Sequence, residues 1–333
     1  MAQSGEFQII ERFFTYKSCG AWQSQGVGDD CAIIDTGAGR MAVTTDMMSM
    51  GTHFLLDADP EDVGYKALAV NLSDLAAAGA VPRAFFLSIG LPFRDDGWLA
   101  DFSRGLMTLA QAEGCALLGG DTTRTPEVNG RHAPATFSIT AMGELPAGMG
   151  LTRSGAKPGD DIWLSGAVGD AYAALKCRWG HWQLMPEAFE ACARRMDRPT
   201  PRLALGQALL GLASACADVS DGLLADLGHI LERSGVSADL QWEAIPISAA
   251  LRSLTIPRQH EAALAGGDDY ELVFTANPEN RDRILAASLE TRTPVARIGR
   301  IKARDCTAVT VHDPDGLPIV LESAGFDHFA ARQ

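Results

Sequence analysis

No stretch of this sequence reaches the roughly 18 uninterrupted apolar residues of a membrane-spanning helix, and Met1 to Phe7 lack the basic patch and apolar run of an export signal. A cytoplasmic protein with no membrane partner is the expectation. Basic charge is scarce as well: 28 Lys and Arg face 42 Asp and Glu, leaving a formal charge of -14. That balance opposes any non-specific hold on nucleic acid or an anionic surface. It leaves room for a small anionic substrate, because local cations decide what a buried site accepts. The 7 cysteines are odd in number, widely spaced and without a Cys-x-x-Cys pair, so buried reduced thiols are expected rather than disulfides or a zinc site.

The common signatures of phosphate and metal chemistry are missing too. The segment Gly150 to Lys157 departs from a P-loop at Ala156, and there is no protein-kinase catalytic loop. His260-Glu261 is followed by Leu264 where a zinc protease needs its second histidine. EF-hand spacing, a nucleophile elbow and internal repeats are absent. Covalent catalysis has no candidate.

What is present is an ordinary globular composition, 47% apolar and 21% charged over 333 residues, which suits two domains. Strand and helix patterns alternate, giving α/β plus α+β as the fold class. Residues 41–45 read as a strand ending on Asp46; Asp59-Pro60 supplies an N-cap and first-turn proline for a helix to about Ala78. In that helix Val63, Ala67, Val70 and Asp74 fall on one stripe, so the Asp74 carboxylate needs a partner. Strand 83–91, helix 96–113 and a short strand 116–118 follow, the last delivering Gly119-Gly120-Asp121 into a loop. The run 125–134 reads as a surface excursion and 134–144 as a strand. The Gly-, Lys- and Pro-containing segment 152–160 separates domains 1–150 and 151–333. Beyond it, strands are expected at 161–165, 239–242, 270–275 and 295–301, with helices near 170–180, 186–196, 201–214 and 220–234 and a hairpin on residues 313–316.

Six short segments pair Asp with Gly or a small hydroxyl residue: Gly28-Asp29-Asp30, Thr44-Thr45-Asp46, Ser73-Asp74, Gly119-Gly120-Asp121, Asp218-Val219-Ser220-Asp221-Gly222 and Gly266-Gly267-Asp268-Asp269. Gathered without cations, such carboxylates would repel and lose hydration, so their convergence requires hard oxygen-seeking ions such as Mg2+. Asp218 and Asp221 stand three apart at an expected helix start, where Ser220 or Asp218 would cap and free amides would favour an anion. Paired glycines at 119–120 let backbone amides approach a phosphate.

In order along the chain, these segments together with Leu151 to Asp160, Asn71 to Ala77 and Gly325-Phe326-Asp327-His328-Phe329 resemble the thiamine-monophosphate kinase family of the aminoimidazole ribonucleotide synthetase-like superfamily. The resemblance implies a homodimer paired through N-terminal sheets and ATP-dependent phosphorylation of thiamine monophosphate to thiamine diphosphate. It implies Mg2+ at Asp30, Thr44, Thr45, Asp46, Asp74, Asp121, Asp218 and Asp221. ATP contacts fall on Gly120, Asp121, Arg153 and Ser220, and substrate contacts on His53, Asp268 and Phe326. Many relatives carry Glu where this chain has Asp268, and the lost methylene shortens its reach. A phosphate acceptor is already ionised near neutral pH, so no general base is required and direct in-line transfer is expected, with the acids as cation holders and Arg153 offsetting charge.

Overall fold

The computed structural model describes residues 24–25, 29–36, 39–321 and 325. Two six-stranded sheets organise it. The first has the order β1-β2-β3-β8-β4-β5, formed by β1 (Ser24–Gln25), β2 (Ala32–Asp35), β3 (Arg40–Ser49), β4 (Val81–Leu91), β5 (Ala116–Arg124) and β8 (Thr136–Leu145). Between β5 and β8, β6 (Glu127–Val128) and β7 (Arg131–His132) make a small separate hairpin, so the expected surface excursion has a structure of its own. Strand β3 shows why one sheet builds a site. Ala42, Thr44 and Met48 are buried on one face, while Thr45 and Met47 point the other way.

Helix α1 (Pro60–Ala78) lies against that inner face. Asp59 caps it by accepting the Glu61 amide at 2.8 Å, and Gly79 ends it with φ 76°. Nearly the whole helix is buried, because it also packs on α2 (Asp96–Ala112) and on elements of the second half. The α1–α2 crossing is tight. A Cβ on Gly64 would sit 1.9 Å from the Phe102 carbonyl oxygen, and one on Gly105 would sit 1.8 Å from that of Glu61.

The second sheet runs β10-β12-β9-β13-β11-β14, built from β9 (Asp161–Ser165), β10 (Ala215–Asp218), β11 (Val236–Gln241), β12 (Leu272–Ala276), β13 (Val295–Ala303) and β14 (Val309–His312). Strands β9, β10 and β12 are buried throughout, which is why they read as continuous apolar runs. Helices α3 (Asp170–Arg178), α4 (Pro186–Asp197) and α5 (Leu203–Ala208) connect β9 to β10, and α6 (Leu223–Ser234) follows β10. Short helices α7 (Ala249–Arg252) and α8 (Ile256–His260) precede β12, and α9 (Arg281–Glu290) precedes β13.

Several expectations need correction. Gly119-Gly120-Asp121 lies inside β5 rather than in a loop, because parallel pairing with β4 continues to Arg124. The expected helix 201–214 holds helical geometry only over Leu203–Ala208. Helix α6 begins at Leu223, and neither Asp218 nor Ser220 caps it; Gly222 takes that position with φ 124° and no side-chain cap. Six cysteines among the described residues are free, but Cys306 is exposed and Cys177 only half-buried; Cys19 falls outside the described residues. No helix among the described residues is long and apolar enough to cross a membrane.

Candidate active site

Three of the acidic segments converge. Asp30 comes from the turn before β2, Asp74 from the C-terminal part of α1 and Asp218 from the end of β10. Each offers an oxygen, and these oxygens lie within 4.8 Å of one another. Sequence distance is bridged by helix α1, which touches both β3 and β10. The cluster is tied together by hydroxyls. Thr44 donates to Asp74 Oδ2, and Ser73 Oγ donates to Asp218 Oδ2 at 2.7 Å. The stripe position of Asp74 therefore finds its partner in Thr44.

Among the described residues, one cation serves this trio. Arg153 places Nε 3.1 Å and Nη2 2.5 Å from Asp30 Oδ1, while its backbone amide donates to Asp29 Oδ1 at 2.7 Å. Burial works against the Arg153 charge, but Asp30 and Asp226 more than offset it and raise its pKa. A single guanidinium cannot neutralise three carboxylates. Burial, reinforced by Asp46, Asp218 and Asp30, holds the Asp74 carboxyl well above its ordinary range. Burial and Asp30 push Asp218 up to about 8, against the pull of Ser73 and Arg153. Asp30 is also raised by burial, despite Arg153. The donors are all oxygen, mutually close and short of positive charge, which fits a hard divalent cation.

Beyond the trio opens a cleft of about 1760 Å³ lined from both halves. Asp46, His53, Asp74, Asp218, Ser220, Asp221 and Asp268 all border it. Asp46 shares the inward face of β3 with Thr44, and its backbone amide donates to Asn71 Oδ1 at 3.2 Å. His53 Nδ1 accepts the Ser49 amide at 3.0 Å. Tyr172 and Leu175 of α3 and Trp179 at its C-cap, with Ile256 and Pro257 of α8, give the cleft an apolar wall. It pairs an acidic floor with a surface suited to an organic ring.

Two loops are held with unusual care. The Asp226 Oδ2 atom accepts the amides of Ser220, Asp221 and Gly222 at 3.0, 3.1 and 3.1 Å, fixing the Asp218–Gly222 turn from inside α6. Opposite it, Asp268 and Tyr270 adopt φ of 72° and 52°, a left-handed conformation that costs roughly 1–3 kcal/mol per non-glycine residue. Their amides donate to Ser220 O at 2.7 Å and Val219 O at 2.8 Å, so the two loops lock each other. Behind them Glu271 is buried and accepts from Arg202 at 2.7 and 2.5 Å, Arg195 at 2.9 Å and Ser165 at 2.6 Å. The Asp268 carboxylate pairs with Lys66 of α1.

Some expected members are not gathered. Thr45 points to the opposite face of β3, where its hydroxyl donates to Ile139 O at 3.1 Å. Gly120 and Asp121 lie on β5 at the far edge of the first sheet, exposed, three strands from β3 and opposite Leu87 and Ser88 of β4. Phe326 is outside the described residues. Conversely, Lys66 and Asp226 border or support the site without any motif to announce them, while Tyr270 follows directly on the Gly266–Asp269 segment.

This arrangement of two α/β sheets around an acidic cleft belongs to a recognised class: residues 28–145 match the AIR synthase related protein N-terminal domain, and 157–312 match the corresponding C-terminal domain. The chain is 41% identical over 330 residues to the thiamine-monophosphate kinase of Salmonella typhimurium, covering 98% of each. It is 42% identical to the crystallised thiamine-monophosphate kinase of Stenotrophomonas maltophilia, covering 90% of this chain and 92% of that one at a TM-score of 0.76. A further structure, AaThiL complexed with AMPPCP and TMP, aligns at TM-score 0.81 and 28% identity over 98% of this chain and 97% of its own. The chain belongs to the thiamine-monophosphate kinase family.

Proposed function

We propose that this protein transfers the γ-phosphoryl group of ATP to thiamine monophosphate, giving thiamine diphosphate and ADP. The observation that carries the reading is the Asp30–Asp74–Asp218 trio, half-buried at Asp30 and Asp74 and buried at Asp218, opening into a cleft with an apolar wall. AaThiL, which shares the fold, was crystallised with both AMPPCP and TMP, in keeping with two phosphorylated ligands meeting in such a cleft. The acceptor is a phosphate oxygen that is already anionic at neutral pH, so the protein has no proton to remove and the barrier is electrostatic.

In this reading Asp30, Asp46, Asp74, Asp218 and Asp221, with the Thr44 hydroxyl, would hold Mg2+, which when bound would supply the positive charge that offsets the phosphates. Arg153, now engaged by Asp30, is placed to offset phosphate charge, and Ser220 lies on the cleft wall for the nucleotide. His53, Asp268 and Phe326 serve the thiamine side. We divide the chain at residue 150, with residues 1–150 as the metal- and nucleotide-binding and dimerisation domain and 151–333 as the domain that completes the cleft and adds Arg153, Asp218, Ser220 and Asp221. We place the reaction in the cytoplasm.

Gly120, Asp121 and Thr45 enter this scheme through a homodimer. Strand β5 is exposed along its length, with Leu117 and Leu118 uncovered beside the exposed Phe86 of β4. An apolar sheet face of this kind is a pairing surface. A second copy paired there brings its own Asp121 toward an acidic cleft that a single chain leaves without it. The deciding assay is purified protein with MgATP and thiamine monophosphate, quantifying thiamine diphosphate and ADP together. Equal formation of both is expected, and ATP turnover without thiamine diphosphate would overturn the reading.

A further inference from the structure

The phosphate of the acceptor has to enter a cleft bordered by Asp46, Asp74, Asp218, Asp221 and Asp268. Among the described residues lining that cleft, two carry a permanent positive charge, Lys66 and Arg178. Arg178 is committed elsewhere, donating to both oxygens of Asp197 at 3.0 and 2.5 Å. Lys66 stands differently. It shares a stripe of α1 with Val70 and Asp74, spaced by four residues each, which sets it about 12 Å along the helix from the metal-binding end. Its side chain is only 7% exposed, and its ammonium is directed at Asp268 across the cleft.

An ammonium carries three protons, and Asp268 accepts one of them. Asp268 in turn holds a left-handed backbone conformation and has its amide fixed by the Ser220 carbonyl. Strained backbone at a carboxylate on a cleft wall is the mark of a group held for a ligand rather than for the fold alone. The Asp218–Gly222 turn to which this loop is hydrogen-bonded carries Ser220 and Asp221 on the same cleft, so the Lys66–Asp268 pair sits against the acidic floor and not at a remote domain seam.

We infer that Lys66 binds the phosphate of the acceptor substrate, with Asp268 holding its ammonium in place before that phosphate arrives. This deepens the proposed phosphoryl transfer and rests on it. A compact ammonium suits a dianionic monoester, and the partly exposed Asp268 keeps the charge compensated in the empty cleft. Lys66 thereby reads the one group that separates thiamine monophosphate from thiamine.

The test compares the full-length wild type with Lys66→Met, Lys66→Gln and Lys66→Arg. Lys66→Gln retains a donor for Asp268 and so preserves the link between the two halves if Lys66→Met does not fold. Measured quantities are the KM for thiamine monophosphate, the KM for ATP and inhibition by thiamine, which has the same rings and no phosphate. Loss of the charge should raise the acceptor KM about 10- to 100-fold, as for a charge-assisted hydrogen bond. The ATP KM and the thiamine inhibition constant should stay within about twofold, and Lys66→Arg should recover part of the loss. Parallel weakening of thiamine and thiamine monophosphate, or an unchanged acceptor KM, would make Lys66 a structural clasp and overturn the inference. Failure of the wild type to form thiamine diphosphate would instead count against the kinase reading.

Discussion

Binding of Mg2+ to the metal-free protein should expel protons, and the amount follows from the trio. Asp218 is pushed up to about 8 by burial and Asp30, against an ordinary 3.8. A carboxyl with that value is about 0.9 protonated at pH 7 and about 0.1 at pH 9. Coordination requires the ionised form, so its share of the released protons should fall by about 0.8 between those pH values. Asp74, which burial and its acidic neighbours also hold well above the ordinary range, adds to the release. Calorimetric titration with Mg2+ in two buffers of different ionisation enthalpy reads the number directly. The Asp218→Asn variant should lose the pH-dependent share and keep the rest. The same linkage has a stability side. The folded Asp218 keeps its proton above the unfolded value, so its contribution is full below about pH 3.8 and is lost as pH rises through about 8. Saturating Mg2+ should flatten that decline. A binding heat identical in both buffers at pH 7 would refute the reasoning, since it would mean the trio is fully ionised without a cation.

Asp221→Asn should cut turnover by at least about 100-fold while leaving the melting temperature nearly unchanged; an unaltered rate at saturating Mg2+ would remove Asp221 from the site. Glu271→Gln breaks a buried ionic cluster with Arg202 and Arg195 and should cost about 3–5 kcal/mol of stability. Burial opposes the Glu271 charge, but Arg202 and Arg195 hold its carboxyl below the ordinary 4.5, so this contribution is present above that value and lost as pH falls beneath it; denaturant curves at pH 7 that match wild type would contradict the assignment. Phe326→Ala should raise the acceptor KM by roughly 2- to 30-fold, the equivalent of about 0.5–2 kcal/mol of ring or cation contact, and an unchanged KM would exclude that contact. Mixing Asp121→Asn with Asp218→Asn, each inactive alone, should restore about a quarter of wild-type activity if Asp121 acts in the partner's cleft, because half the dimers are mixed and each mixed dimer holds one intact site. No recovery after subunit exchange would place Asp121 outside the reaction or within its own chain's site.

Much of this molecule was legible because its acids obey local rules. Asp74 stood out as a carboxylate on an apolar helical stripe, and the structure supplies the hydroxyl and the cluster that such a position demands. The period-two logic of a strand was equally available for residues 44–46, and it separates Thr44 and Asp46 on one face from Thr45 on the other. Treating the three as one metal-binding unit overrode that alternation. Helix boundaries near 220 were harder. The Asp218–Gly222 turn looks like an acidic N-cap, but its amides are taken by Asp226 from the next turn of helix, a reversal that composition does not signal.

The remaining gaps share a cause, which is that sequence reports what a residue prefers and not which face the fold leaves uncovered. Leu117 and Leu118 lie in a run apolar enough for a buried strand, and in one chain they are exposed, Leu118 at 61%. Exposed apolar residues on a strand become an argument for the second copy proposed above. Lys66 fails in the opposite sense. A lysine within a helix reads as a solvated surface group, yet here it is buried against an acid 202 positions away. Burying it is favourable only if that acid is delivered at a fixed place, and the left-handed backbone of Asp268 is how the chain delivers it. The strain, the ion pair and the border of the cleft are therefore one fact seen from three sides, and none of them is visible until the two halves meet.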